Sequence, residues 1–233
     1  MRRRGPVIDY CLSGINVPVE RIPRHNDSFT LAAQPRTDLW RKSPGQDTST
    51  APALFASLRF PFASAEVTVD AKWALEWDQA GLVIFTGAPP GRIVDCNNQV
   101  QDEQPPPYTA PPKWAKVGLE LNNNILHASS AVANAEGTDW CLTALPSHLS
   151  QRGFLRIRLE RIGRALWMYY EDDFTGWRKF RELTGFFCGV EDKFVKVGVY
   201  ASRPASVTTS YSGRELDEMD RSLVVEFEDL LIF

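Results

Sequence analysis

Long apolar runs are absent from the sequence. Its 233 residues hold no uninterrupted stretch of about 18 apolar positions, so no membrane-spanning helix is expected. The arginine-rich start, MRRRGPVIDYCLSG, is not followed by the apolar run of a secretory signal peptide. A strong charge of either sign is also missing, because the formal net charge is −3, and we expect neither nucleic acid nor membrane as a partner. The sequence therefore predicts a cytoplasmic protein.

Patterns that bind metals or phosphates are equally scarce. The four cysteines lie far apart without a CxxC pair, and the three histidines have no ligand spacing. Neither a GxSxG nucleophile motif nor a glycine-rich phosphate loop is present. We therefore predict no metal and no cofactor, and we expect the thiols to be reduced: Cys11, Cys96, Cys141 and Cys188.

Short segments rich in β-branched and aromatic residues make up most of the chain, with 15 Gly and 16 Pro between them. Eleven such segments need two sheets, so an all-β sandwich is predicted. Chains of this length commonly fold as one all-β domain, and we assign residues 12–233 to it after an N-terminal extension, 1–11. The predicted strands cover 28–34, 53–60, 65–75, 80–87, 113–121, 125–133, 154–162, 165–172, 177–183, 195–203 and 223–233.

One long segment, 87–112, interrupts this pattern. Its runs APPGR and QPPPYTAPP exclude regular structure and predict a loop. Loops of this length are usually functional or disordered, so the segment is either a lid over a pocket or a floppy insertion. A second, shorter loop at 213–222 is acidic.

The stretch KWAKVGLELNN, 113–123, has two distinct faces. Alternate residues of a strand point to opposite sides, so Ala115, Val117, Leu119 and Leu121 suit a core. The other row combines an indole, a cation, a gap and a carboxylate: Trp114, Lys116, Gly118 and Glu120. A similar mixture occurs at Lys196, Gly198, Tyr200 and Ser202, whereas Arg156, Arg158 and Glu160 suit plain solvent. The mixed rows predict a concave sheet with a ligand lying in it.

Several sequence blocks together resemble one known family. They are TDLW (37–40), DQAGLVIF (78–85), KWAKVGLE (113–120), TDW (138–140), FREL (180–183), VGVYAS (197–202) and the LERIGRALWMYYEDD region (159–177). In order and spacing they are similar to the concanavalin A-like family related to the yeast regulator-of-enolase protein. This resemblance implies a jelly-roll sandwich of two curved antiparallel sheets. It implies little about activity, because the fold hosts binders and enzymes alike.

This chain departs from the family pattern at Phe85, where many relatives carry an arginine, and at Ala131 and Ala133. A more apolar pocket would suit a lipophilic small molecule better than a sugar.

The glucanases of this fold use a Glu-x-Asp-x-x-Glu strand for a retaining mechanism. Here Glu215, Asp217 and Asp220 lie in a predicted loop instead, so glycoside hydrolysis is disfavoured. The amides of LNNN, 121–124, predict a turn rather than a calcium site.

Nine residues are predicted to form the site. Those expected to contact a ligand are Trp40, Gln79, Phe85, Trp114 and Tyr200, since aromatic rings stack on flat ligands at low entropic cost. Those with catalytic potential are Lys116, Glu120, His127 and Arg181. The carboxyl of Glu120 or the imidazole of His127 would transfer protons. Lys116, Glu120 and Arg181 could form an ion-paired network, either as scaffold or to polarise a ligand oxygen.

Two functions remain open at this stage. The first is a cofactor-free binding module for a small organic ligand, lectin-like or regulatory, with a possible protein partner or homodimer. The second is a cofactor-independent isomerase or cyclase of fungal secondary metabolism, pericyclase-like, acting on a lipophilic substrate. Catalysis by positioning and electrostatics leaves few sequence motifs, so the absence of a catalytic motif from the sequence excludes neither function.

Overall fold

Two antiparallel sheets packed face to face form the body of the protein, which is an all-β jelly-roll sandwich as predicted. The computed structural model describes residues 11–43, 46–58, 60–87, 89, 93–95, 100–101, 113–192, 195–206 and 221–233. Glu215, Asp217 and Asp220 of the acidic loop and most of the segment 87–112 lie outside these residues, so the choice between a lid and a floppy insertion for that segment does too.

The larger sheet has nine strands in the order β12-β11-β10-β7-β16-β5-β1-β8-β9. Their bounds are β1 Leu12–Ile15, β5 Ala53–Ser57, β7 Gln79–Thr86, β8 Ile93–Asp95, β9 Val100–Gln101, β10 Lys113–Asn122, β11 Ile125–Ala133, β12 Thr138–Ala144 and β16 Val195–Ser202.

The smaller sheet has six strands in the order β15-β14-β13-β6-β17-β2. Their bounds are β2 Ser28–Ala33, β6 Ser64–Ala71, β13 Phe154–Ile162, β14 Ala165–Asp172, β15 Gly176–Leu183 and β17 Leu223–Ile232. A separate hairpin joins β3, Leu39–Arg41, to β4, Asp47–Ser49. Two short helical turns, Val19–Arg21 and α1 Ser147–Ser150, complete the described elements.

The main core lies between the sheets and follows from the strand alternation. The apolar row of β10, with Val117 and Leu119, packs there against the apolar row of β13, with Leu155 and Ile157. These side chains are fully buried. On the outer face of the smaller sheet, Arg156 and Arg158 are only half buried and pair with Glu66. The predicted solvent face of β13 is thus an ion-paired surface.

Two expectations about the fold need correction. The segment 87–112 is not wholly irregular, because β8 and β9 lie within it. Cys11 is disulfide-bonded, whereas Cys141 and Cys188 are free, so the expectation of four reduced thiols is wrong for Cys11. Disulfides persist chiefly in oxidising compartments, so this bond does not support the predicted cytoplasmic location. Among the residues that the structure describes, no helix has the length and apolar character needed to cross a bilayer.

Candidate functional site

Four rows of side chains cross the outer face of the nine-stranded sheet, which we call the site face. Each row runs through one residue of β10, and the strand register fixes its members. In order along β10 the rows are Lys196-Phe85-Trp114-Ala133, Gly198-Val83-Lys116-Ala131, Tyr200-Gly81-Gly118-Ser129 and Ser202-Gln79-Glu120-His127. The mixed rows of β10 and β16 therefore lie on one face of the same sheet.

The β3–β4 hairpin lies over part of the site face. Arg41, at the end of β3, is buried and forms a bidentate ion pair with Asp47 at 2.6 and 2.9 Å. Its Nη1 also donates to the carbonyl oxygen of Asn134 at 2.7 Å, in the turn between β11 and β12. At the other side, Ser202 Oγ donates to Thr37 O at 2.7 Å. The hairpin is therefore tied to strands on both sides of β10.

A second hydrophobic cluster, the outer cluster, fills the space beneath this hairpin. It consists of Ile15, Leu39, Ala51, Ala53, Phe55, Val83, Phe85, Ile93, Trp114, Ala131, Ala133 and Tyr200, with Trp40 packed against it. Phe85, Trp114 and Tyr200 lie on the predicted face, but they are at most 1% exposed. In this arrangement they offer no surface to a ligand. The prediction that these three rings contact a ligand is therefore wrong, and they pack under the hairpin instead.

Lys116 forms an ion pair beside this cluster. Its Nζ lies 3.0 Å from Oδ1 of Asp38, and the lysine is buried while Asp38 is partly exposed. Three aromatic rings surround the ammonium group, with centroids at 5.5 Å for Tyr200, 5.9 Å for Trp40 and 6.0 Å for Trp114. Cation–π attraction and the ion pair both hold the charge in place. These contacts make Lys116 part of the scaffold.

Glu120 is the chemically unusual residue of the site face. It is 1% exposed, and its Oε2 accepts hydrogen bonds from Ser129 Oγ at 2.5 Å and from Trp140 Nε1 at 3.1 Å. Burial raises the pKa of this carboxyl above its usual value, and the two hydrogen bonds and the charge of Lys116 offset only part of that effect. Glu120 thus holds its proton more tightly than an ordinary glutamate.

Gln79 and His127 flank Glu120 on the neighbouring strands. Gln79 is 6% exposed, and its Nε2 makes a long 3.4 Å hydrogen bond to Trp77 O. Its Oε1 is buried and has no hydrogen-bond partner among the described residues. Nδ1 of His127 lies 2.9 Å from Ile125 O. A carbonyl only accepts, so Nδ1 carries a proton, and in the neutral tautomer this leaves Nε2 as an acceptor.

Two tryptophans near this row present large exposed surfaces that the sequence did not assign to the site. Trp140 is 42% exposed and contacts Glu120 through its indole nitrogen. Trp77 is 48% exposed and adopts a φ of 66°, which is unusual for an aromatic residue. The TDW block pointed to Trp140, but its place beside Glu120 depends on the pairing of β12 with β11.

Arg181 is not part of the site face. It lies on β15 of the smaller sheet, where its Nη1 donates to Ser130 Oγ at 2.8 Å. Its Nη2 forms an ion pair with Asp139 at 2.6 Å. The guanidinium therefore links β15 to β11 and to the edge strand β12 of the other sheet. The expected network of Lys116, Glu120 and Arg181 is wrong, because two of its members have separate carboxylate partners.

The described residues contain no group of three His, Cys, Asp or Glu side chains placed to hold a metal ion.

The asparagines after β10 form the predicted turn, since Asn123 and Asn124 have φ values of 52° and 59°. Two consecutive positive φ angles are typical of a two-residue hairpin turn. The site face thus combines a buried carboxyl, two hydrogen-bond acceptors that have no donor, and exposed indole rings.

The fold and this face define a β-sandwich protein with a polar row on the outer side of its larger sheet. The chain belongs to the DUF1349 family, described as proteins of unknown function, whose model matches residues 15–232. An uncharacterised protein of Emericella nidulans is 30% identical over 220 residues, which cover 91% of this chain and 94% of that protein.

Solved structures show the same fold at low sequence identity. A functionally unknown protein from Saccharomyces cerevisiae has a TM-score of 0.63 and 19% identity, with 94% of each chain covered. A Zobellia galactanivorans LamA variant in complex with laminaritriose and laminaritetraose has a TM-score of 0.50 and 10% identity, covering 95% of this chain and 91% of that one. The Bacteroides ovatus GH43B protein has a TM-score of 0.52 and 12% identity, covering 88% of this chain and 33% of that one.

Proposed function

We propose that this protein is a binding module that holds a small polyhydroxy ligand, such as a saccharide, on the site face. The ligand stacks against the exposed ring of Trp140, and because Gln79 and Glu120 are buried, it reaches them and His127 when the Trp140 side chain shifts aside. The observation that carries this proposal is the buried carboxyl of Glu120, held on Oε2 by Ser129 and by an indole that is itself 42% exposed. This is the lectin-like alternative from the sequence, with a smaller set of residues.

Burial and hydrogen bonding support a ligand that brings its own polar groups. Both hydrogen bonds that Glu120 receives from described residues go to Oε2, and Gln79 Oε1 receives none. Buried polar atoms are nearly always satisfied in native proteins, so unsatisfied ones mark places where a ligand or water is bound. Ligand hydroxyl groups supply the missing donors. The indole of Trp140 supplies a flat apolar surface beside them.

The proposal is tested by binding measurements on the purified full-length protein. Laminaritriose and a xyloglucan oligosaccharide serve as probes, because one structural neighbour was solved in complex with laminaritriose and another is named after xyloglucan. We expect saturable heat release in calorimetry and quenching of tryptophan fluorescence. Replacement Trp140→Ala should weaken the affinity about tenfold or more, because truncated aromatic anchors commonly cost about 2 kcal/mol.

The matched control is Trp177→Ala. Trp177 is also partly exposed, but it lies on β15 of the smaller sheet and contacts Arg158. This variant should bind the probes as the unaltered protein does. Absence of binding to both oligosaccharides, or an equal loss in the two variants, would contradict the proposal.

A second function, cofactor-free isomerisation or cyclisation, is favoured by one observation. Glu120 has a raised pKa and lies beside His127 in the strand register, so the two groups could exchange protons with a bound substrate. The test is deletion of the gene followed by metabolite profiling. An accumulated unrearranged precursor that Glu120→Gln fails to remove would favour the enzyme, and an unchanged profile would count against it. A regulatory contact with a metabolic enzyme, as the yeast family resemblance implies, and a homodimer both remain predictions.

A further inference from the structure

We propose that the site face selects ligands that donate hydrogen bonds and rejects anionic ones. This inference rests on the proposed function and specifies its ligand class: neutral saccharides and related polyols are bound, whereas their carboxylated counterparts are excluded. It follows from the chemical character of three side chains in one row, Gln79, Glu120 and His127, which we call the acceptor row.

Each residue of the acceptor row leaves a hydrogen-bond acceptor unpaired. Gln79 donates one amide hydrogen toward Trp77 O and leaves Oε1 without a partner among the described residues. In its ionised form Glu120 accepts on Oε2, and its Oε1 receives no hydrogen bond from the described residues. His127 uses its Nδ1 proton for Ile125 O and leaves the lone pair of Nε2. A ligand over this row therefore has to supply the protons.

Two cations near the row are already paired with carboxylates. Lys116 lies 3.0 Å from Asp38. Arg203, which follows β16, forms two 2.7 Å hydrogen bonds with Asp78. Neither of these two cations is therefore free to pair with an anionic ligand that approaches Glu120. Like charges in a partly buried site repel each other, and burying an unpaired carboxylate is costly.

The spacing of the row agrees with a short oligosaccharide. Neighbouring strands lie about 4.8 Å apart, so the three residues of the acceptor row span about 10 Å across the sheet. Hydroxyl groups on opposite edges of a single sugar ring are closer together than this, so the row matches two linked sugar units. A short oligosaccharide could therefore use several acceptors at once while one ring covers Trp140.

A matched pair of probes tests this inference. The first probe is laminaritriose, and the second is the same trisaccharide with its primary hydroxyl groups oxidised to carboxylates. We expect calorimetry at neutral pH to show at least tenfold weaker binding of the oxidised probe. Raising the salt concentration should reduce this difference, because part of it is charge repulsion.

Two variants separate the acceptor character from the charge. Gln79→Met keeps the length of the side chain but removes the acceptor, so it should weaken binding of laminaritriose several-fold. Glu120→Gln removes the negative charge, so the affinities for laminaritriose and for its oxidised form should differ less in this variant than in the unaltered protein. Circular dichroism of both variants checks that the sandwich is intact.

The outcomes distinguish this inference from the proposed function. Equal or tighter binding of the oxidised probe would overturn the donor-selective site while leaving a saccharide-binding module in place. If neither probe binds, and the xyloglucan oligosaccharide does not bind either, the proposed function fails and the inference fails with it. A Gln79→Met variant with unchanged affinity for laminaritriose would remove Gln79 from the acceptor row.

Discussion

At the scale of single residues, the burial of Glu120 has a consequence that does not depend on any ligand. The carboxylate form is penalised by the loss of hydration, and this penalty exceeds the help from Ser129, Trp140 and Lys116. A carboxyl whose pKa is higher in the folded protein than in the unfolded chain stabilises the fold when it is protonated. That stabilisation is complete below the unfolded pKa and is lost as the pH rises through the folded pKa.

We therefore predict a pH-dependent difference between the unaltered protein and Glu120→Gln. Glutamine mimics the protonated acid, so the variant should gain stability relative to the unaltered protein as the pH rises from about 4 toward neutrality. Urea denaturation at a series of pH values measures this difference. Glu136→Gln, which changes an exposed glutamate in the turn after β11, is the control and should show no such trend. A flat difference for Glu120→Gln would mean that the carboxyl is not destabilised by burial.

The residues of the site could be predicted from the sequence only in part. Alternation along β10 and β16 identified the face that carries Trp114, Glu120 and Tyr200, because the period of a strand is a local property. It could not show that a hairpin far away in the chain covers Trp114. Arg181 was misplaced for the same reason, since a strand pattern does not say which sheet the strand joins.

At the scale of secondary-structure elements, glycines allow the central strands of the site face to approach closely. A Cβ atom on Gly118 would collide with the carbonyl oxygen of Ala80 on β7, and one on Gly198 would collide with that of Leu54 on β5. The obstacle in both cases is backbone, which cannot turn aside as a side chain can. The glycine of KWAKVGLE, Gly118, is therefore required for the pairing of these strands.

We predict that Gly118→Ala destabilises the protein by about 3 kcal/mol or more, because the strands around it must separate. Gly163→Ala is the matched control, since Gly163 has a φ of 62° and no atom within 4 Å of an added Cβ. In that variant the alanine only has to adopt the left-handed conformation, which lowers the free energy of unfolding by about 1 kcal/mol. Chemical denaturation gives both values. Similar losses in the two variants would show that the strands near Gly118 adjust easily.

Element prediction succeeded where a strand is long and regular. All eleven predicted strands are present, and their bounds differ from the structure by a few residues. The strands that were missed are short or lie near sheet edges: β1, β3, β4, β8, β9 and β12. A strand of two to four residues has too few alternating positions for a pattern, and its existence depends on a partner elsewhere in the chain.

At the scale of the whole molecule, a buried ion pair connects the ends of several strands. Arg203 and Asp78 share two 2.7 Å hydrogen bonds, and both side chains are almost fully buried. Arg203 also donates to Arg221 O at 2.6 Å, just before β17 of the smaller sheet. Asp78 accepts from the backbone of Ala74 and Leu75 at the turn before β7. The pair therefore links the two sheets at one end of the sandwich.

Removing one member of this pair should be costly. We predict that Arg203→Met lowers the free energy of unfolding by about 3–5 kcal/mol, because Asp78 is left buried without its partner. The double variant Asp78→Leu with Arg203→Met should recover part of this loss. Arg152→Met is the control, since its partner Asp173 is largely exposed, and such pairs contribute at most about 1 kcal/mol. Urea denaturation curves compare the three variants, and a small effect of Arg203→Met would show that the pair does not join the sheets.

The outer cluster packs on one sheet only, whereas the main core is held between two. Release of Arg41 from Asn134 and of Thr37 from Ser202 would expose Trp114 and Phe85 without separating the two sheets. Regions with fewer enclosing contacts open at a lower free energy than global unfolding. We therefore expect the hairpin to open as a unit of its own, and its amide protons to exchange with solvent sooner than those of the sheet strands that it covers.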